Sequence, residues 1–270
     1  MDPLAALLDQ VRQERDLDLS SYKPTFLARR LAVRMQARDC ADYTAYGRLL
    51  REDPAEYKAL FDSLSINLTR FFRDPTTFQA LEERFLPELV QRRTTERRLR
   101  AWSAGCAGGE EPYSLAILLR EVLGRALSRW RVEIVATDVD DKALAQAHEA
   151  SYDATVFEDL TPHYQVWIGR YFTPGSQRQL HPKVRAMVTL QRHDLTRDPP
   201  PAGLDLILCR NVLIYFERDQ QDRLYQSFYE ALRPEGLLVL GKTEILPMAW
   251  SSHFAAVELR EHIYERKEGL

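Results

Sequence analysis

With 270 residues, 45% of them apolar and 29% charged, the chain can bury a sizeable core and has the make-up of a soluble globular protein. No apolar run approaches the roughly 18–20 residues of a membrane span. Cys40, Cys106 and Cys209 lack metal or disulfide spacing, which fits a reducing, cytoplasmic setting. The six histidines form neither H-x-x-x-H nor H-E-x-x-H, so no metal site is expected.

The opening stretch MDPLAALLDQVRQERD is acidic and amphipathic, which sets it apart from a signal peptide. Up to about residue 90 the pattern is helical, with Pro3, Pro24, Pro54 and Pro75 each just inside a helix start. Apolar residues between them keep a three-to-four spacing, as in Leu4, Leu7, Leu8, Val11 and Tyr57, Leu60, Phe61, Leu64. This predicts an all-helical domain over residues 1–75. A linker helix and a basic hinge follow over residues 76–98, the hinge being Gln91–Arg98. The net charge of −3 hides an asymmetry: between Ser20 and Arg51, Lys23, Arg29, Arg30, Arg34, Arg38, Arg48 and Arg51 stand against Asp39 and Asp42 alone. Arg30, Arg34 and Arg38 recur at i, i+4, i+8 and share one helix stripe. Such a stripe is either a solvated face or a docking surface for an acidic partner, protein or nucleic acid.

From Leu99 onward strands alternate with helices, which argues for βαβ units around a mainly parallel sheet over residues 99–270. Strands are predicted at Leu99–Ser103, Val132–Thr137, Met187–Leu190, Leu204–Cys209, Leu237–Leu240 and Val257–Tyr264. Helices are predicted at Glu111–Leu123, Asp141–Glu149 and Asp219–Leu232. The stretch from Ser151 to Leu195 is too long for a plain loop and reads as an inserted subdomain.

Four segments carry chemistry. The loop Ser103-Ala-Gly-Cys-Ala-Gly-Gly-Glu-Glu-Pro-Tyr-Ser114 joins a strand to a helix through Gly105, Gly108 and Gly109, as nucleotide pockets of open α/β sheets do. It lacks the Lys-Ser/Thr of a P-loop and the G-x-G-x-x-G of a dinucleotide fingerprint. Glu110 and Glu111 would repel a pyrophosphate and suit a ligand bearing an ammonium group. Asp138, in Ala136-Thr-Asp-Val-Asp140, stands at the tip of the second strand, where an acid takes ribose hydroxyls or merely caps the next helix. In Cys209-Arg-Asn-Val-Leu-Ile-Tyr-Phe216, Arg210 and Asn211 emerge where ligands sit. The Asn/Asp-Pro-Pro-aromatic element of amino-group methylation is absent there. In Ser65-Ile-Asn-Leu-Thr-Arg-Phe-Phe-Arg-Asp-Pro75, Phe71 and Phe72 are expected to pack between the two halves. Asn67, Thr69 and Arg73 point together away from them, unless the segment is a polar linker capped at Asp74.

In order and spacing these segments resemble those of the CheR chemotaxis receptor methyltransferases, from about Leu8 to Tyr264. The resemblance implies an α/β, class I S-adenosylmethionine-dependent methyltransferase with a Rossmann-like sheet. It adds an N-terminal helical domain and a small inserted β-subdomain at about 160–192. The implied activity is that of a protein-glutamate O-methyltransferase. It moves a methyl group from S-adenosylmethionine to glutamate side chains of a chemotaxis receptor's cytoplasmic helical bundle, yielding glutamyl methyl esters and S-adenosylhomocysteine. Neither metal, nucleic acid nor membrane insertion is part of that expectation.

Position by position, the resemblance implies that Asn67, Thr69 and Arg73 close over the cofactor. Gly105 and one of Glu110 or Glu111, with Glu110 favoured, hold the methionine end. Asp138 takes the ribose, and His193-Asp-Leu195 places Asp194 and Leu195 beside the adenine. Asn211 and Val212 line the methionine and sulfonium side. Arg73 and Tyr215 are the candidates for aligning the acceptor, and Arg30, Arg34 and Arg38 for docking the receptor. Some relatives tether to a receptor's C-terminal pentapeptide through the β-subdomain. The segment between Tyr171-Phe172 and Asp194 is short for that and lacks a G-x-G turn, which predicts a pentapeptide-independent enzyme. The competing readings are an RNA or small-molecule methyltransferase and a non-catalytic cofactor-binding module.

Overall fold

The computed structural model describes residues 2–15, 19–64, 67 and 69–268. The chain divides into two units, one of Met1–Ile66 with Tyr215–Arg223, the other of Asn67–Ile214 with Leu224–Leu270.

The first unit holds α1 (Pro3–Arg15), α2 (Pro24–Ala37), α3 (Tyr43–Glu52) and α4 (Pro54–Leu64). Proline at the first helical position costs no hydrogen bond, because that N–H has no intrahelical acceptor. At α3 the start is set instead by Asp42, whose carboxylate accepts from Ala45 N at 2.8 Å. Leu7, Val11, Leu27, Leu31, Tyr46, Leu50, Tyr57 and Leu60 form the core. The returning segment belongs to this unit by its own contacts: Lys23 N donates to Tyr215 O (2.9 Å) and Glu217 N to Ser21 O (2.8 Å).

The second unit opens with α5 (Pro75–Ala80), a π-helical turn at Leu81–Phe85 and α6 (Leu86–Arg92). It continues with β1 (Arg98–Ala104), α7 (Glu110–Leu123), β2 (Arg131–Asp138), α8 (Asp141–Glu149) and β3 (Ser151–Asp153). Next come α9 (Pro162–Tyr171), β4 (Gln177–Gln179), α10 (Pro182–Arg185), β5 (Val188–Arg192) and β6 (Leu204–Cys209). The last elements are α11 (Arg218–Ala231), β7 (Leu232–Leu240), β8 (Phe254–Glu258) and β9 (Ile263–Arg266). A seven-stranded sheet runs β5-β2-β1-β6-β7-β9-β8, parallel except for β9, which is antiparallel to both its neighbours. Every residue of β6 is buried, as expected of a parallel strand covered on both faces. The chain leaves β1 toward β2 on one side and reaches β6 on the other, so the crevice at their carboxyl ends is a topological switch point, where open α/β sheets bind ligands.

Four expectations need correction. Val257–Tyr264 is not one strand but the turn of the β8–β9 hairpin, with His262 at φ 54°. Residues 188–192 pair with β2 in the main sheet, whereas the small subdomain sheet is β3 with β4. The Gln91–Arg98 segment is fastened, with Arg93 Nε 2.7 Å from the buried Asp205 and Arg92 Nη1 2.6 Å from Glu265, which argues against a hinge. Phe71 and Phe72 pack within the second unit. Phe71 meets Tyr152, Phe157 and Phe172, and Phe72 stacks on Tyr164 at 4.2 Å.

Candidate active site

The glycine loop turns through left-handed backbone at Gly105 (φ 78°), Ala107 (φ 45°) and Gly109 (φ 92°). A side chain at Gly105 would put its Cβ 2.5 Å from Val212 Cγ2, so glycine lets the loops after β1 and β6 meet. Gly105 N and Cys106 N both donate to Thr137 O, and Ala107 N donates to Asp138 Oδ2 at 2.8 Å. The loop is thereby stitched to the tip of β2.

The two glutamates that follow differ sharply. Glu111 accepts from Ser103 Oγ at 2.8 Å and pairs with Arg210 at 3.3 Å, so it is consumed internally. Glu110 is 5% exposed, and its Oε2 has no hydrogen-bond partner among the described residues. Burial pushes its carboxyl pKa up to about 7. A buried, unpaired acid is costly to leave without a donor, and an ammonium group supplies one.

Asp138 stands beside this loop. Its Oδ1 accepts from Asp140 N at 3.0 Å, and burial raises its pKa despite the backbone donors. His193 N donates to Asp138 O at 2.9 Å, which brings residues 193–195 against the same strand end. Asp194 closes its own turn by accepting from Thr196 N (2.8 Å) and Thr196 Oγ1 (2.7 Å), and Leu195 is half-buried. Asn67 donates to Asp140 Oδ2 at 2.7 Å. Asp140 also caps α8 and was not foreseen as a member of the site. Ser65, Ile66 and Leu68 of that segment lie outside the described residues; Thr69 and Arg73 are half-buried.

Arg210 does not face a ligand. Its side chain is 1% exposed, bonded to Asp74 Oδ2 (2.6 Å) and Arg73 O (2.8 Å), with its guanidinium 5.5 Å from the Phe78 ring centre. It locks the Arg73-Asp74 corner to Glu111. Asn211, the next residue, is left-handed (φ 61°), and its buried Oδ1 has no partner among the described residues. Glu244, missed by the sequence reading, holds this turn through Asn211 N (2.8 Å), Val212 N (2.9 Å) and Leu213 N (2.7 Å). Its only sequence signal is an acid three residues beyond a glycine at a strand end.

The expected acceptor-side residues divide differently. Tyr215 belongs to the first unit, its ring 4.9 Å from Phe26. Arg34 is not a free docking group: it makes a two-pronged pair with Glu56 (2.9 and 2.8 Å), a carboxylate 1% exposed that also accepts from Tyr46 Oη. Arg38 is more open and pairs with Asp53 at 2.9 Å, and Arg30 lies 5.6 Å from the Phe26 ring centre. Among the described residues no group of three or more His, Cys, Asp or Glu could hold a metal ion, and no helix is long and apolar enough to cross a membrane.

Comparison with known proteins matches residues 67–263 to the CheR methyltransferase SAM-binding domain and residues 2–65 to the CheR methyltransferase all-alpha domain. A chemotaxis protein methyltransferase of Listeria monocytogenes is 34% identical, covering 87% of this chain and 86% of that protein. Its Salmonella typhimurium counterpart is 32% identical over 87% of this chain and 80% of that protein. A 104.1 kDa protein of Rhodobacter capsulatus is 34% identical over 98% of this chain, which spans 27% of that longer protein.

Proposed function

Because the chain belongs to the CheR methyltransferase family, we propose that it methylates glutamate side chains in the cytoplasmic helical bundle of a chemotaxis receptor. The products would be glutamyl methyl esters and S-adenosylhomocysteine. Glu110 is the observation that carries this reading: a buried acid with an unpartnered oxygen, at the switch point of a class I methyltransferase sheet. The residues fit S-adenosylmethionine, since the buried Glu110 Oε2 and Asn211 Oδ1 are acceptors with no donor among the described residues. Glu110 would bind the amino group of the methionine moiety, Asp138 the ribose, and Asp194 with Leu195 the adenine. Asn67, Thr69, Asn211 and Val212 would complete the enclosure.

S-adenosylmethionine supplies an electrophilic methyl on a sulfonium, and a receptor glutamate, with an ordinary pKa of about 4.3, is already the carboxylate that takes it. No general base is needed. The chain's task is alignment to roughly 3–3.5 Å and exclusion of water, because both charges diminish on the way to the transition state. Arg73 and Tyr215 would align the acceptor.

The reading is tested with methyl-labelled S-adenosylmethionine and purified receptor cytoplasmic fragments. Label released as methanol by mild base is expected; base-stable label would mean N-methylation and overturn it. Two three-residue strands make up the small β3–β4 sheet, which supports a pentapeptide-independent enzyme. Fragments with and without their C-terminal tails should then be methylated equally fast.

A further inference from the structure

Glu244 lies in the loop after β7 and belongs to none of the four segments that carry the family resemblance. It is 4% exposed. Besides the three N–H groups of residues 211–213, its Oε2 accepts Gly241 N at 2.7 Å. One carboxylate thus takes four backbone donors from the ends of β6 and β7. Successive N–H groups converging in this way form a nest for an anion, and here the anion comes from the chain itself.

The surroundings show how closely this clasp is built. A Cβ on Gly241 would sit 2.7 Å from Glu244 Oε2 and 2.8 Å from Asn211 N. The Glu244 carbonyl in turn accepts from His262 Nδ1 at the β8–β9 turn. Burying a carboxylate is costly unless its lone pairs are filled, and a neutral amide could not fill the place. Glutamine offers one acceptor oxygen and would turn an NH2 group toward two of the four donors.

What the clasp holds is the left-handed turn at Asn211 and, through it, Val212 against Gly105. We propose that Glu244 is a positioning residue for S-adenosylmethionine: it fixes the 211–213 backbone so that Asn211 Oδ1 and Val212 are presented to the cofactor. This rests on the methyltransferase reading above.

The test uses the full chain and S-adenosylhomocysteine as the calorimetric ligand. In the ligand-free protein, the amides of Val212, Leu213 and Gly241 should be protected from hydrogen exchange, and Glu244→Gln should release them. Glu244→Gln should also weaken S-adenosylhomocysteine binding at least tenfold. Asn211→Ala should weaken it too, and the double variant should be no weaker than the worse single one, the mark of a shared route. Asp205→Asn removes a buried acid at the other end of β6, bonded to Arg93 and to Arg100 N; it should lower the melting temperature with affinity unchanged. Wild-type affinity in Glu244→Gln, or effects that multiply fully in the double variant, would overturn the inference. A wild-type chain that binds no S-adenosylhomocysteine would instead sink the reading on which it rests.

Discussion

Glu110 and Glu111 are adjacent and chemically identical, and burial raises the pKa of both, yet their partners differ. Glu111 faces Ser103 and Arg210, so its charge is answered inside the protein. Glu110 Oε2 has no partner among the described residues, and burial pushes the carboxyl pKa up to about 7 against a backbone hydrogen bond that lowers it. The sign of the consequence is fixed by linkage. Below pH 7 the folded, ligand-free protein holds a proton on Glu110 that the unfolded chain releases above about 4.5, so this group's contribution to stability falls as pH rises from about 4.5 to about 7. Binding an ammonium group requires the ionised form. Affinity for S-adenosylhomocysteine should therefore drop by up to about tenfold per pH unit below 7 and level off above it. Calorimetry across pH 5.5–8.5, in buffers of different ionisation heat, checks this. In Glu110→Gln the slope should vanish and affinity should be low throughout. The sequence showed that two acids end the glycine loop; which one is spent depends on Arg210, just past the end of β6 and about a hundred residues later. For the same reason Glu244 was invisible. Arg73, whose carbonyl is pinned by Arg210, has its own test: Arg73→Ala should cut kcat by about 10–100-fold at saturating cofactor, as a misaligned acceptor would.

At the level of elements, α2 shows how a surface pattern can conceal an interior one. The i, i+4, i+8 arginines share a stripe, yet its middle member turns inward on Glu56, a buried acid on α4. Helical periodicity reports the face and not the partner, because the partner lies on another helix. Glu56→Ala would strand the Arg34 guanidinium and the Tyr46 hydroxyl together and should cost about 3 kcal/mol, read from the urea midpoint. Arg34→Glu should be as damaging. Arg30→Glu with Arg38→Ala should spare the fold better than Arg34→Glu, since the Arg38–Asp53 pair is largely exposed and weak and the contact of Arg38 with the buried Glu56 is longer, at 3.7 Å. That double variant should raise KM for the receptor while leaving cofactor affinity intact. The helix starts were legible because proline at the first turn is a local signal. The β8–β9 turn was not: Leu259-Arg-Glu-His262 holds no glycine, proline or asparagine, and His262 takes up the left-handed conformation instead.

On the scale of the whole chain, alternating strands and helices announced the parallel part of the sheet, and the glycine loop with Asp138 marked the strand ends where a ligand sits. Both are near-neighbour patterns. The return of residues 215–223 to the helical unit is not, because nothing around Tyr215 says that its backbone will bond to Lys23. That return divides the proposed machinery. Every candidate cofactor residue lies in the second unit, whereas Tyr215 and the α2 arginines belong to the first. Tyr215 is held there by the Phe26 ring at 4.9 Å, and its neighbour Phe216, 4% exposed, by the Tyr22 ring at 4.9 Å. Phe216→Ala should then cost roughly 3–4 kcal/mol, the usual penalty for emptying a buried aromatic site. Phe26→Ala is the more telling change, since it removes the support of Tyr215, the proposed aligner, and leaves every candidate cofactor residue untouched. It should lower kcat about tenfold or more with S-adenosylhomocysteine affinity unchanged. Loss of affinity in step with kcat would show that Tyr215 does not serve the acceptor separately from the cofactor.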